Sequence, residues 1–167
     1  METARPNIHP QNVALFREET TVKFNDYGLK SAAFNSVRSD RLDEATSAQL
    51  APPKHYDVKA TSLDRYVQTS GVKPNFIKLD AEGAEMDILV GAEHTLAEVR
   101  PTLTLEVGDY RADIPMSGDT VRHLTERNYV ALEWRDGRLV PHERRDRYEY
   151  DNLLFVPAER QGEFVNG

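Results

Sequence analysis

A chain of 167 residues, 39% hydrophobic and 29% charged, has the composition of a soluble globular domain with enough apolar surface for one core. Its net charge of −7 excludes the basic face that holds a nucleic acid and fits poorly with binding to anionic membranes. The absence of cysteine excludes disulfides, thiolate metal sites and cysteine nucleophiles.

The start, "METARPNIHPQNV", lacks the apolar segment of a signal peptide, and no window is apolar enough to span a bilayer. The cytoplasm is the simplest compartment. "NVALFREETTVKFNDYG" reads as one or two strands, with Val22 and Phe24 alternating against Lys23 and Asn25 and "NDYG" as a turn. Residues 30–56 are polar, carry Pro52-Pro53, and read as an irregular surface segment. "DVKA" is a short strand. Thr61 and Asp64 have the spacing of a capping box, Leu63, Tyr66 and Val67 share a helical face, and Gly71 suits a left-handed stop.

"NFIKLDA" is a strand, and "GAEMDILVGAEHTLAEV" is helical, with Met86, Leu89, Val90 and Leu96 facing inward and Gly91 as a break. Pro101 ends it and opens the strand "TLTLEV". After a loop through Pro115 and Gly118, "DTVRHLTERN" is an amphipathic helix, "YVALEW" a strand, Asp136-Gly137 a tight turn into "LV", and "YDNLLFVPA" a last strand. The basic run "HERRDRYEY" at 142–150 is interleaved with acids and reads as a solvated loop. From residue 57 on, strands and helices alternate, which predicts an α/β sheet covered by helices. The predicted organisation is a single unit over 1–158 and a tail over 159–167.

In open α/β sheets ligands bind at the carboxyl ends of parallel strands. Two strands end in acids here, "FIKLD" at Asp80 and "TLTLE" at Glu106. As neighbours they would open Asp80, Glu82 and Glu106 onto one rim, able to accept a proton, grip a hydroxyl or hold a cation. The same acids have a structural explanation. Glu82 and Glu85 begin a helix, where the dipole favours carboxylates, and Asp80 could cap it. Lys78 either reaches an edge or pairs with a carboxylate. Gly83 lets the chain turn tightly from strand into helix. His94 and His123 read as surface helix residues; His9, His55 and His142 fall in loops without paired spacing; Trp134 reads as packing.

The ordered set Lys78, Asp80, Glu82, Gly83, Glu85, Leu89, Gly91, Ala92, Leu96, Pro101, Glu106, Asn152 and Leu153 resembles the second half of an FkbM-type methyltransferase domain, over about residues 12–158. The resemblance implies a Rossmann-like sheet with a C-terminal antiparallel hairpin, S-adenosylmethionine as methyl donor, and O-methylation of a hydroxyl on a sugar or natural product. It carries over Asp80, Glu82 and Glu106 as catalytic candidates and a small molecule or glycan as acceptor. Such folds hold the donor on a glycine-rich turn after the first strand. The nine glycines here include no Gly-x-Gly. The expectation is therefore a sheet lacking its N-terminal, donor-binding half, with "FIKLD" as an open edge. That edge would be covered by the N-terminal segment or by another chain, a second copy or a complementing one, or it would leave the protein poorly stable. Two rival readings follow: a non-catalytic binding or assembly module using that edge, and a divalent-cation site of the three carboxylates.

Overall fold

The structure is a computed structural model and describes residues 7–38, 42–109 and 116–165. It is a mixed α/β fold with two sheets. The first has three strands, β1 (Ala14–Leu15), β2 (Thr20–Asp26) and β3 (Lys54–Thr61), in the order β1-β3-β2. The alternation in β2 places Val22 inward, opposite Val58. β3 is longer than "DVKA", because antiparallel pairing with β2 runs unbroken from Thr20↔Ala60 to Asp26↔Lys54. The connecting segment is less irregular than its composition implies. It holds a 3-10 turn at Leu29–Phe34 and α1 (Glu44–Ser47), whose N-cap Asp43 accepts the Thr46 N–H at 2.7 Å.

α2 (Leu63–Ser70) is capped by Ser62, which accepts the Arg65 N–H at 3.1 Å, not by the predicted Thr61–Asp64 box. Asp64 instead accepts from the Thr95 N–H at 2.7 Å, the Thr95 hydroxyl at 2.6 Å and the His94 N–H at 2.9 Å. A long-range anchor thus outcompetes the local cap. Gly71 ends α2 at φ 71, in the left-handed region a glycine adopts freely.

The second sheet has the order β4-β5-β8-β6-β7, formed by β4 (Phe76–Leu79), β5 (Thr102–Val107), β6 (Tyr129–Arg135), β7 (Arg138–Pro141) and β8 (Asp151–Pro157). Only β4 and β5 run parallel, with Leu79 opposite Leu105; the other pairs are antiparallel. The β6–β7 turn uses Asp136 at φ 51 and Gly137 at φ 82, as the Asp-Gly pair predicted. α4 (Ser117–Thr125) precedes β6, and a 3-10 turn at Ala158–Arg160 leads into α5 (Gly162–Val165). The expected loop through Pro115 lies outside the described residues.

The long helix predicted after β4 is divided. α3 covers Glu85–Val90, and a π turn covers Thr95–Val99. Gly91 stands at the break for a packing reason: a Cβ there would lie 2.3 Å from the Phe16 carbonyl oxygen. Leu89 and Leu96 are buried as expected, but Val90 is exposed; Ile88 and Ala92 complete the inward stripe. With Leu103, Leu105, Leu124, Leu153 and Phe155 they form the core, each large side chain contributing roughly 2 kcal/mol by leaving water.

Three features outside this frame depart from the sequence reading. Trp134 is exposed at the end of β6 and does not pack. The 142–150 loop is not merely solvated: the His142 imidazole is fully buried, with Nδ1 at 2.6 Å from Glu133 and Nε2 at 3.0 Å from the Tyr148 hydroxyl. Glu133, itself buried, also receives Arg135 and Arg145. His123, read as a surface residue, has a side chain only 12% exposed.

Candidate active site at the carboxyl ends of β4 and β5

Parallel pairing with Leu79 opposite Leu105 brings the two strand ends, and so Asp80 and Glu106, side by side. Lys78 on β4 pairs with Asp80, and the hydrogen bond to that carboxylate raises the ammonium pKa above its ordinary value, with Glu106 and Tyr150 adding negative potential. Asp80 does not cap α3: the N-cap position is Ala84, without a side-chain cap. The capping reading therefore fails for Asp80, which remains at the rim with Lys78.

Glu85 is the acid that builds the turn. Its carboxylate reaches back to accept the Ala81 N–H at 2.8 Å and the Gly83 N–H at 3.0 Å. These bonds hold Glu82 at φ 52 and Gly83 at φ 95, two successive left-handed residues. Burial pushes the Glu85 carboxyl pKa up, Glu106 adds repulsion, and the backbone donors oppose both. Glu82 contributes through its main chain, its carbonyl accepting the Ser36 hydroxyl at 2.6 Å. Asp80 and Glu106 thus meet at the rim, while the placed contact of Glu82 is a backbone one. The cation reading is not supported: among the described residues no three His, Asp or Glu side chains form a group able to hold a metal.

Sequence reasoning missed the supports. Asp87 on α3 is buried and pairs with Arg17, at 2.9 Å through Nε, and with Arg38 at 3.0 Å. It ties both the β1–β2 connection and the segment after β2 to the helix behind the rim. Asp109, just past β5, accepts the Met116 and Ser117 N–H groups at 2.9 Å each and the Tyr148 N–H at 2.7 Å. It joins the start of α4 to the 142–150 loop. These acids look like ordinary surface charges in sequence, because their partners, arginines for Asp87 and backbone N–H groups for Asp109, come from other segments.

Two hollows open at this end. One of about 30 Å³ lies between Glu85, Glu106 and Thr120. A wider one of about 490 Å³ is bounded by Gly108, Asp109, Tyr148 and the largely exposed Tyr150. Another hollow, of about 990 Å³, lies at the opposite ends of β4 and β5, between Lys73, Asn75 and Arg100, away from the rim acids.

The carboxylate pair stands at the carboxyl ends of the parallel strands, where α/β sheets bind their ligands. A family model for the methyltransferase FkbM domain matches residues 2–131, and the chain belongs to that family. The matched span holds Asp80, Glu82 and Glu106 and stops within β6, so Asn152 and Leu153 lie beyond it. No curated protein and no solved structure matches the chain.

Members of the family generally use S-adenosylmethionine. The described residues do not fit that donor. The rim glycines have no free N–H to cradle it: Gly83 donates to Glu85, and Gly108 donates to the Ser117 hydroxyl at 2.9 Å. No helix among the described residues is long and apolar enough to cross a membrane.

Proposed function

We propose that this chain carries the acceptor side of an FkbM-type methyltransferase acting on a hydroxyl of a sugar or natural product. The observation that carries the reading is the Lys78–Asp80 pair set beside Glu106 at the rim of β4 and β5. Asp80 and Glu106 accept hydrogen bonds from the acceptor hydroxyl and orient its oxygen; either carboxylate can take the proton that the oxygen loses. Lys78 holds Asp80 in place. Tyr150, exposed beside the wider hollow, offers an aromatic face to a sugar ring. S-adenosylmethionine supplies the methyl group in this reading and is bound by a donor half outside the described residues.

Titration calorimetry and amide NMR test both parts. The expected result is no measurable heat with S-adenosylmethionine alone, and saturable shifts at Asp80 and Glu106 with a hydroxylated acceptor. Micromolar donor binding by the chain alone would overturn the division of labour. Absence of rim shifts across a panel of glycans and polyhydroxylated small molecules would overturn the acceptor role. A second reading, a binding module without catalysis, is favoured by one observation: among the described residues β4 is hydrogen-bonded on one side only. It predicts acceptor-independent partner capture unaffected by Asp80→Asn.

A further inference from the structure

β4 is an open edge whose hydrogen-bonding groups can be assigned. The Thr102 N–H donates to the Asn75 carbonyl at 3.0 Å, so Asn75, Ile77 and Leu79 turn their main-chain groups toward β5. Phe76 and Lys78 therefore turn theirs outward, and no strand among the described residues receives them. The flank is apolar: Phe76 is 53% exposed and Val72, just before the strand, 51%. The two ends of this edge carry opposite charge. Its start borders a hollow where Lys73, without an ion-pair partner among the described residues, Arg65, Arg100 and Arg160 outnumber the acids Asp64 and Glu98. Its finish is the acidic rim of Asp80, Glu82 and Glu106.

We propose that β4 is the two-fold interface of a homodimer, in which a second copy pairs antiparallel with the same strand. Antiparallel pairing lays the acidic end of one copy against the basic start of the other, so the charges complement each other twice. A two-fold axis normal to the sheet allows two compact registers. One sets Lys78 against Lys78 of the second copy, like charge on like charge, and is disfavoured. The other places Ile77 against Ile77 as a non-hydrogen-bonded pair. Phe76 then exchanges both main-chain hydrogen bonds with Lys78 of the second copy and covers its alkyl stem. Lys73 then falls opposite Ala81 of the second copy, next along the chain to Asp80, so the basic start of each subunit borders the rim of the other. The pairing holds whether or not that rim transfers a methyl group.

The absence of native cysteine makes the test clean. Sedimentation of the unmodified chain is expected to show a species of twice 19.0 kDa that dissociates on dilution. On mild oxidation Ile77→Cys is expected to give a disulfide-linked dimer, because non-hydrogen-bonded pairs bring Cβ atoms close. Val90→Cys, exposed on α3, gives no disulfide-linked dimer under the same conditions. Lys73→Glu raises the dimer dissociation constant at least tenfold, and adding Asp80→Lys restores it. A single monomeric species up to the solubility limit overturns the proposal. So does a dimer that cross-links no better through Ile77→Cys than through Val90→Cys. A monomer that binds a donor-binding polypeptide along β4 in place of itself overturns it as well.

Discussion

The acids on α3 and β6 and the acids at the rim are made of the same chemistry and serve opposite ends. Asp87 and Glu133 are buried, and each is met by two or three cationic or histidine side chains. Asp80 has one lysine, stands a third exposed, and sits at the end of a parallel strand. A buried carboxylate surrounded by donors has no capacity left for a ligand, and its loss is felt by the fold. A partly hydrated one can exchange water for substrate. Partner number and exposure, more than acidity, separate scaffold from site in this protein.

The separation is sharpest where the scaffold is cut. Replacing Arg17 and Arg38 together by Ala leaves Asp87 buried without a cation, and breaking a buried pair in this way costs about 3–5 kcal/mol. Urea unfolding should show that loss, with faster hydrogen exchange in β1 and β2. Restoring much of it with Asp87→Asn in the same background would identify the stranded charge as the cause. Next comes Glu133→Ala, which removes the acceptor shared by His142, Arg135 and Arg145; the expected loss is about 2–3 kcal/mol, checked by the same melt.

Glu85 stands between the two groups, structural in its hydrogen bonds but facing Glu106. Glu85→Ala strands the Ala81 and Gly83 N–H groups and should cost about 1–3 kcal/mol. Its pH signature has a definite sign. A carboxyl whose pKa is raised in the folded state binds protons more readily folded than unfolded. Its contribution is therefore favourable at low pH and is lost as pH rises from the ordinary glutamate range through the raised value. Glu159 runs the other way. Hydrogen bonds from Arg100 hold its pKa down at about 2, so its contribution is present above the unfolded value of 4.5 and fades as pH falls toward about 2. Stability measured against pH in Glu85→Gln and Glu159→Gln should lose these two slopes separately; a shared slope would mean that neither group is the source.

Much of the frame was legible in the chain. Period-two alternation located β2, an apolar run closed by Pro157 located β8, the Asp-Gly pair marked the β6–β7 turn, and Gly71 marked the end of α2. The rim acids were legible because a strand ending in Asp or Glu is a local pattern. The connections among Asp87, Arg17 and Arg38, or Glu133, His142 and Tyr148, were not. Their partners are supplied by distant segments or by a loop whose charges look solvated. The cap of α2 was misassigned for the same reason: Asp64 satisfied a local rule and was drawn away by Thr95. The break at Gly91 was visible as a glycine, but its cause, the Phe16 carbonyl lying where a side chain would stand, belongs to tertiary packing.

The smallest stability effect should fall on the residue with the largest functional one. Asp80→Asn keeps shape and hydrogen-bonding capacity and removes only a partly exposed charge paired with an exposed lysine. Its cost to folding should stay within about 0.5 kcal/mol, as for other surface ion pairs. The Lys78 ammonium pKa falls back toward its ordinary range, since the hydrogen bond to the Asp80 carboxylate is the main cause of its rise. At the rim the same change removes a carboxylate that accepts a proton and leaves an amide that does not. Acceptor binding followed by NMR should weaken, and methyl transfer in the presence of a donor-binding half should drop by about 10²-fold or more. A melt that shifts by several kcal/mol with transfer unchanged would place Asp80 with Asp87 and Glu133 among the scaffold acids and leave Glu106 as the rim carboxylate to test.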